Sequence, residues 1–168
     1  MPPGFKHLFF LYPFRPGADY YPHGAISFDF VPRIEAGKVR LRSDAKHVRV
    51  HLTVVHYDLS SDRRIGRDRA SARETCVRLA GPVVDHVSNS LGMLKTLGDV
   101  VACFQREKSN SQTGFYAYPE TALAFAFTLA KSGRVAEAKA ELANTLRSSY
   151  FPEETHDKLQ ELLTTTGP

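Results

Sequence analysis

The chemistry-bearing residues crowd into one stretch, His47-Val48-Arg49-Val50-His51-Leu52-Thr53-Val54-Val55-His56-Tyr57-Asp58, which holds three of the seven histidines. Read as a strand, its side chains alternate faces at about 3.3 Å per residue. Val48, Val50, Leu52 and Val54 then share the core face, and His47, Arg49, His51 and Thr53 the wet one. His47 and His51 sit roughly 13 Å apart at their Cα atoms. A zinc ion whose ligands lie about 2 Å away cannot take both. His56 has the opposite parity unless Val54-Val55 forms a bulge. No metal site is therefore expected, and no cofactor. His56 and Asp58 share a face at about 6.6 Å, the spacing at which a carboxylate orients a histidine as a general base. A local hydrogen bond is the plainer use of that pair.

The arginines are the stronger feature. Arg40 and Arg42 alternate with Val39 and Leu41, which places them on the wet face with His47, Arg49 and His51. The segment Asp58–Arg73, DLSSDRRIGRDRASAR, adds Arg63, Arg64, Arg67, Arg69 and Arg73 with little apolar periodicity beyond Ile65, so it is expected to be a basic loop. Arginine forks grip carboxylates and phosphates in bidentate fashion. Arg40, Arg42, His47, Arg49, His51, Arg63, Arg64, Arg67 and Arg69 are the candidate partner-binding residues. Only Tyr57 has the parity to offer a base a stacking surface there, and single-strand binders need several such aromatics.

The charge distribution agrees. Residues 33–78 carry twelve Lys/Arg against six Asp/Glu, whereas 115–168 carry five against seven; the whole chain of 168 residues has net charge +4. A basic region beside an acidic one steers an anionic partner.

Nucleophile motifs are missing. There is no G-x-S-x-G elbow, H-E-x-x-H, C-x-x-C, Walker-type loop or G-x-G-x-x-G. The two cysteines, Cys76 and Cys103, fall on or beside apolar stripes, where thiols behave as small hydrophobes. Two cysteines make no disulfide framework, and a reducing compartment follows. The apolar run Leu8–Tyr12 is short, has only Lys6 before it and is followed by Pro13, which is not a secretory signal. No run approaches the roughly 20 apolar residues of a membrane span. A cytoplasmic protein with no membrane partner is expected.

The elements that must position these residues follow from periodicity. Ala25–Val31 alternates, with Ile26, Phe28 and Phe30 on one face and Pro32 as its stop. Glu35-Ala36-Gly37-Lys38 is a turn into a short strand at Val39–Leu41, and Ser43-Asp44-Ala45-Lys46 is a turn into the histidine strand. Short links favour an antiparallel meander. Residues 5–14 fit a strand or an irregular arm. Arg15–His23 is expected to be a loop.

Beyond residue 73 the period changes to about 3.6. Cys76, Leu79, Ala80, Val83, Val84, Val87 and Leu91 form a helical stripe interrupted at Gly81-Pro82, by a kink or by a restart. Thr96-Leu97-Gly98-Asp99 opens a helix as a capping box with Asp in the Glu position. Lys108–Gly114 is a polar loop. Pro119-Glu120 opens a helix carrying Leu123, Phe127 and Ala130, with Gly133 as its stop. Val135, Ala138, Leu142 and Leu146 belong to the next helix, and Pro152-Glu153-Glu154 opens the last, with Leu159, Leu162 and Leu163.

The expected fold is α+β: an antiparallel sheet of three to four strands, followed by and packed against an α-helical half. One domain spans 1–168, with the sheet half at about 1–58, the basic loop at 59–73 and the helical half at 74–168.

Leu123–Ala138, LAFAFTLAKSGRVAEA, resembles the helix pair of tetratricopeptide-type repeats, with small residues, a glycine turn and a Glu-Ala start. No 34-residue recurrence is present, so no solenoid is expected. Residues 24–147, with Arg64-Ile65-Gly66 in the loop, are similar to a bacterial family of unknown function built from a small sheet and helical hairpins. That family has paired tryptophans after the loop, and this chain has no tryptophan. The resemblance implies a fold but no activity.

The leading expectation is a non-catalytic module for a protein partner of acidic character, either a toxin-neutralising immunity-like protein or an adaptor. The alternative is a nucleic-acid-binding module using the same arginines. A hidden active site at His51, His56 and Asp58 is the third reading.

Overall fold

The computed structural model describes residues 4–13, 20–41, 49–56, 68–110, 115–148 and 151–167. The strands are β1 (Phe5–Pro13), β2 (Tyr20–Phe28), β3 (Arg33–Glu35), β4 (Lys38–Arg40) and β5 (Leu52–His56). The helices are α1 (Arg69–Gly92), α2 (Leu97–Asn110), α3 (Pro119–Lys131), α4 (Val135–Ser148) and α5 (His156–Thr165). Strands come first and helices after, the α+β order expected from the change of period. One sheet has the strand order β1-β2-β5, and β3 pairs with β4 in a separate two-stranded sheet. Among the described residues no helix is long and apolar enough to cross a membrane.

The residues divide into two compact units. One is drawn from Met1–Lys6, Ser27–Leu52 and Leu94–Pro168, the other from His7–Ile26 and Thr53–Met93.

In the first unit the core is an aromatic chain. Phe28 meets Phe5, Phe30 and Phe104 at centroid separations of 5.2, 5.4 and 5.9 Å. Phe104 then stacks on Phe125 at 5.3 Å, and Phe125 meets Phe115 edge-on at 5.9 Å. Edge-on and tilted pairs suit the ring quadrupoles. The N-terminal arm is pinned where Asp29 N donates to Gly4 O at 2.9 Å and Lys6 pairs with Asp29 at 2.7 Å. Gly4 has φ +94, and a Cβ there would come within 3.3 Å of the Phe30 ring, so both conformation and space call for glycine.

α3 is the central helix. Every residue from Ala122 to Ala130 is buried. The expected stripe of Leu123, Phe127 and Ala130 is thus only part of an all-round apolar surface, the mark of a helix packed on every side. Its alanines let neighbours approach closely. Gly133, at φ +81, ends it, with Gly133 N donating to Ala130 O and Arg134 N to Leu129 O, both at 3.0 Å, a left-handed C-terminal cap. The chain returns as α4, which buries Ala138, Glu141, Leu142, Thr145 and Leu146 on one face. Val135, expected in that stripe, is 38% exposed. α5 buries Leu159, Leu162 and Leu163.

The capping box ahead of α2 forms as expected. Asp99 N donates to Thr96 Oγ1 at 3.1 Å, and the Asp99 carboxylate accepts from Thr96 N at 2.8 Å. The hydrogen bonds to Thr96 hold the Asp99 carboxyl below its usual range. The same Asp99 carboxylate oxygen also accepts from Lys95 N, at 3.0 Å.

In the second unit Asp68 caps α1, accepting from Ala70 N and Ser71 N at 3.1 and 2.9 Å. This corrects the expected loop through Arg73: a good N-cap overrides weak periodicity, and Arg69 and Arg73 are helical. The helix runs unbroken through Gly81-Pro82, so no restart occurs. Val84, placed in its apolar stripe by spacing, is 49% exposed. Tyr20–His23, expected in a loop, belongs to β2.

Candidate functional site

The β3–β4 hairpin is built by its turn. Ala36 and Gly37 have φ 47 and 73, the two positive values that a type I′ turn demands. That turn type matches the twist of the strands and sets the register, Arg33↔Arg40, Ile34↔Val39 and Glu35↔Lys38. The register brings four charged side chains to one face of the hairpin: Arg33, Glu35, Lys38 and Arg40. Arg33 and Arg40 stand directly opposite, and like charges so placed destabilise a hairpin.

The cations on and near the hairpin are not used alike. The Arg33 side chain is 13% exposed, with Nη1 3.3 Å from Glu35 Oε1. That is close enough for attraction between ions, but the pair is not aligned as a hydrogen bond, and Arg33 Nε and Nη1 are buried without a hydrogen-bond partner. Arg49 pairs with Glu120 and lies 4.0 Å from Glu35. Glu120 sits in the first turn of α3, where the helix dipole favours an anion. A cavity of about 40 Å³ lies among Val31, Arg33, Arg49, His51, Glu120 and Phe151. Lys38 and Arg40, by contrast, are exposed and make no ion pair among the described residues. Leu41 follows them and is 46% exposed.

His51 corrects the reading of this segment as strand with a wet histidine face. β5 begins only at Leu52, so alternation does not govern His51, and the ring is buried at 5% exposure. Its Nδ1 accepts from Phe28 N at 2.9 Å, and the ring stacks on Phe28 at 5.6 Å. The accepting Nδ1 places the proton of the neutral ring on Nε2. Burial, and next the Arg49 charge, lower its pKa to about 4, against an opposing pull from Asp29. A neutral ring committed to a backbone amide is a structural group, not a poised base.

The remaining candidates scatter. Arg40 lies on β4 and Arg49 precedes β5, so they do not share one sheet. Arg69 is exposed in the first turn of α1. Arg42, His47, Arg63, Arg64 and Arg67 lie outside the described residues, as does Asp58. His56 ends β5, but its side chain is also outside them. Among the described residues no group of His, Cys, Asp or Glu could hold a metal ion. Cys103 is buried, and burial raises its thiol pKa despite Arg106, so it is a poor nucleophile.

Sequence reasoning missed Arg33, Glu35, Lys38 and Glu120. The signal for the first three was present: a two-residue Ala-Gly turn dictates the register, and the register dictates which charges face each other. Nothing local marks Glu120 as the partner of Arg49. Comparison with family models, with curated proteins and with solved structures finds no match.

Proposed function

We propose that this chain is a non-catalytic protein-binding module whose partner is acidic, in the manner of an adaptor or a neutralising protein. One observation carries the reading. On the β3–β4 hairpin Lys38 and Arg40 are exposed and unpaired among the described residues, beside the exposed Leu41. Arginine and an apolar neighbour at the surface are what protein interfaces favour. Arg49 and His51 are not free for a partner: the first is paired with Glu120 and the second with Phe28. The contact residues are thus Lys38, Arg40 and Leu41.

The test is capture from host lysate with and without nuclease treatment, using wild-type chain and the double variant Lys38→Glu, Arg40→Glu. A protein that co-purifies at fixed ratio with wild type and is lost with the double variant supports the reading. Recovery of nucleic acid alone, with affinity falling steeply with salt, overturns it in favour of a nucleic-acid module. Equal capture by both forms removes the hairpin from the interface.

A further inference from the structure

We infer that the outer edge of β4 receives an added antiparallel strand, an extended segment of the partner with a carboxylate at every second residue. The inference rests on the reading of the hairpin as the face for an acidic partner, and adds how the partner is held.

The argument begins with the turn. In a two-residue type I′ hairpin the residues that flank the loop exchange both hydrogen bonds, and the next pair exchanges none. With Glu35↔Lys38 as the flanking pair, the peptide groups of Val39 turn away from β3. They face outward along β4, where no third strand pairs among the described residues. Both residues beside Val39 in β4 are exposed, whereas β3 is half-buried throughout. The more exposed strand of this sheet is β4, and its outer edge is the one assigned to a partner. A partner strand there finds an amide and a carbonyl ready to be paired, the usual source of affinity in strand addition.

Charge then selects the occupant. Lys38 and Arg40 project on the same face of β4, separated by one residue. Opposite them an added strand with carboxylates at alternate positions forms two cross-strand ion pairs. The second also relieves the Arg33↔Arg40 opposition that the register imposes. A second copy of this chain fits badly, because antiparallel pairing of β4 with itself sets Lys38 and Arg40 against Arg40 and Lys38. Short edge strands carrying lysine deter indiscriminate pairing; the same cations leave the edge open to an acidic strand.

The experiment measures binding of capped heptapeptides to the full chain at low salt, with the amide signal of Val39 followed by NMR. The probe alternates glutamate and threonine. In antiparallel pairing the threonines stand opposite Val39 and supply its hydrogen bonds. N-methylation of the threonine nitrogens is expected to weaken binding at least tenfold and to abolish the Val39 shift. Methylation of the glutamate nitrogens, which point away, is expected to change affinity less than threefold, and a lysine–threonine peptide to show no binding. Equal binding of the two methylated peptides overturns strand addition while leaving the acidic-partner reading in place. So does binding that leaves the Val39 amide unmoved. No binding of the glutamate–threonine peptide also overturns strand addition, and the lysate capture with the charge-reversed variant then decides separately whether an acidic partner exists.

Discussion

The α3–α4 pair and the β3–β4 hairpin are both two-element units closed by a turn with glycine in the left-handed region, and they are held by opposite means. The helical pair is held mainly by apolar packing. α3 is buried from Ala122 to Ala130, and its polar residue Thr128 donates back to Ala124 O at 2.7 Å. α4 admits one buried charge, Glu141, matched by Lys108 at 2.6 Å. The hairpin has three residues in each strand and little to bury. Its inner charges, Arg33 and Glu35, lie within ion-pair distance of each other, while its outer ones, Lys38 and Arg40, are exposed. Packing secures the helical pair at low cost in specificity. The hairpin leaves cations at the surface and, among the described residues, an edge that no third strand pairs, and binding needs such surface.

Four measurements would sharpen that contrast. The largest effect belongs to the core. Phe104→Ala removes a fully buried ring that touches Phe28 and Phe125, with an expected loss of about 3–5 kcal/mol in chemical denaturation. A loss under about 1 kcal/mol would show that the aromatic chain is not the core.

Next comes acid sensitivity. His51 has its pKa lowered to about 4 in the folded chain, against about 6.5 when unfolded. Between these values the unfolded state binds more protons. The stabilising contribution is therefore complete above about pH 6.5 and is lost as the pH falls towards 4. The expected loss is about 3 kcal/mol. His51→Gln should flatten the dependence of stability on pH over that window; an unchanged slope would show that other groups cause it.

The two kinds of ion pair should then part company. Lys108→Met leaves Glu141 buried without its cation and should cost about 2–3 kcal/mol, with Glu141→Leu in the same chain recovering most of it. Arg49→Met breaks a half-exposed pair and should cost less than about 1 kcal/mol. Equal costs would erase the distinction between the two regions.

The smallest effect lies in the hairpin turn. Ala36 holds φ 47, a region that asparagine enters more readily than alanine. Ala36→Asn should raise stability by about 0.5 kcal/mol and leave the register unchanged, as read from cross-strand contacts in NMR. A loss of stability would argue against a type I′ turn.

Much of the fold was legible in local sequence because its signals are local. Thr96 and Asp99 lie three residues apart and cap each other within one turn. Gly133 stops α3 because its own φ can be positive. Asp68 is an equally local cap, yet the surrounding arginines obscured it. The candidate site was legible only in part. Alternation placed Arg40 on an exposed face, where it lies, but carried the same logic to His51, which stands one residue before the strand begins.

From the sequence by itself came the order of strands then helices, the turn at Glu35–Lys38, the caps at Thr96–Asp99 and Gly133, and the concentration of positive charge in residues 33–78. These depend on backbone preferences and on composition, which act within a few residues. Only the tertiary structure decided which charges are spent. Arg49 meets Glu120 from a different element, His51 is drawn under Phe28, and Lys38 and Arg40 are left exposed. Pairing and burial depend on which distant segments share space, and no spacing rule along the chain contains that information.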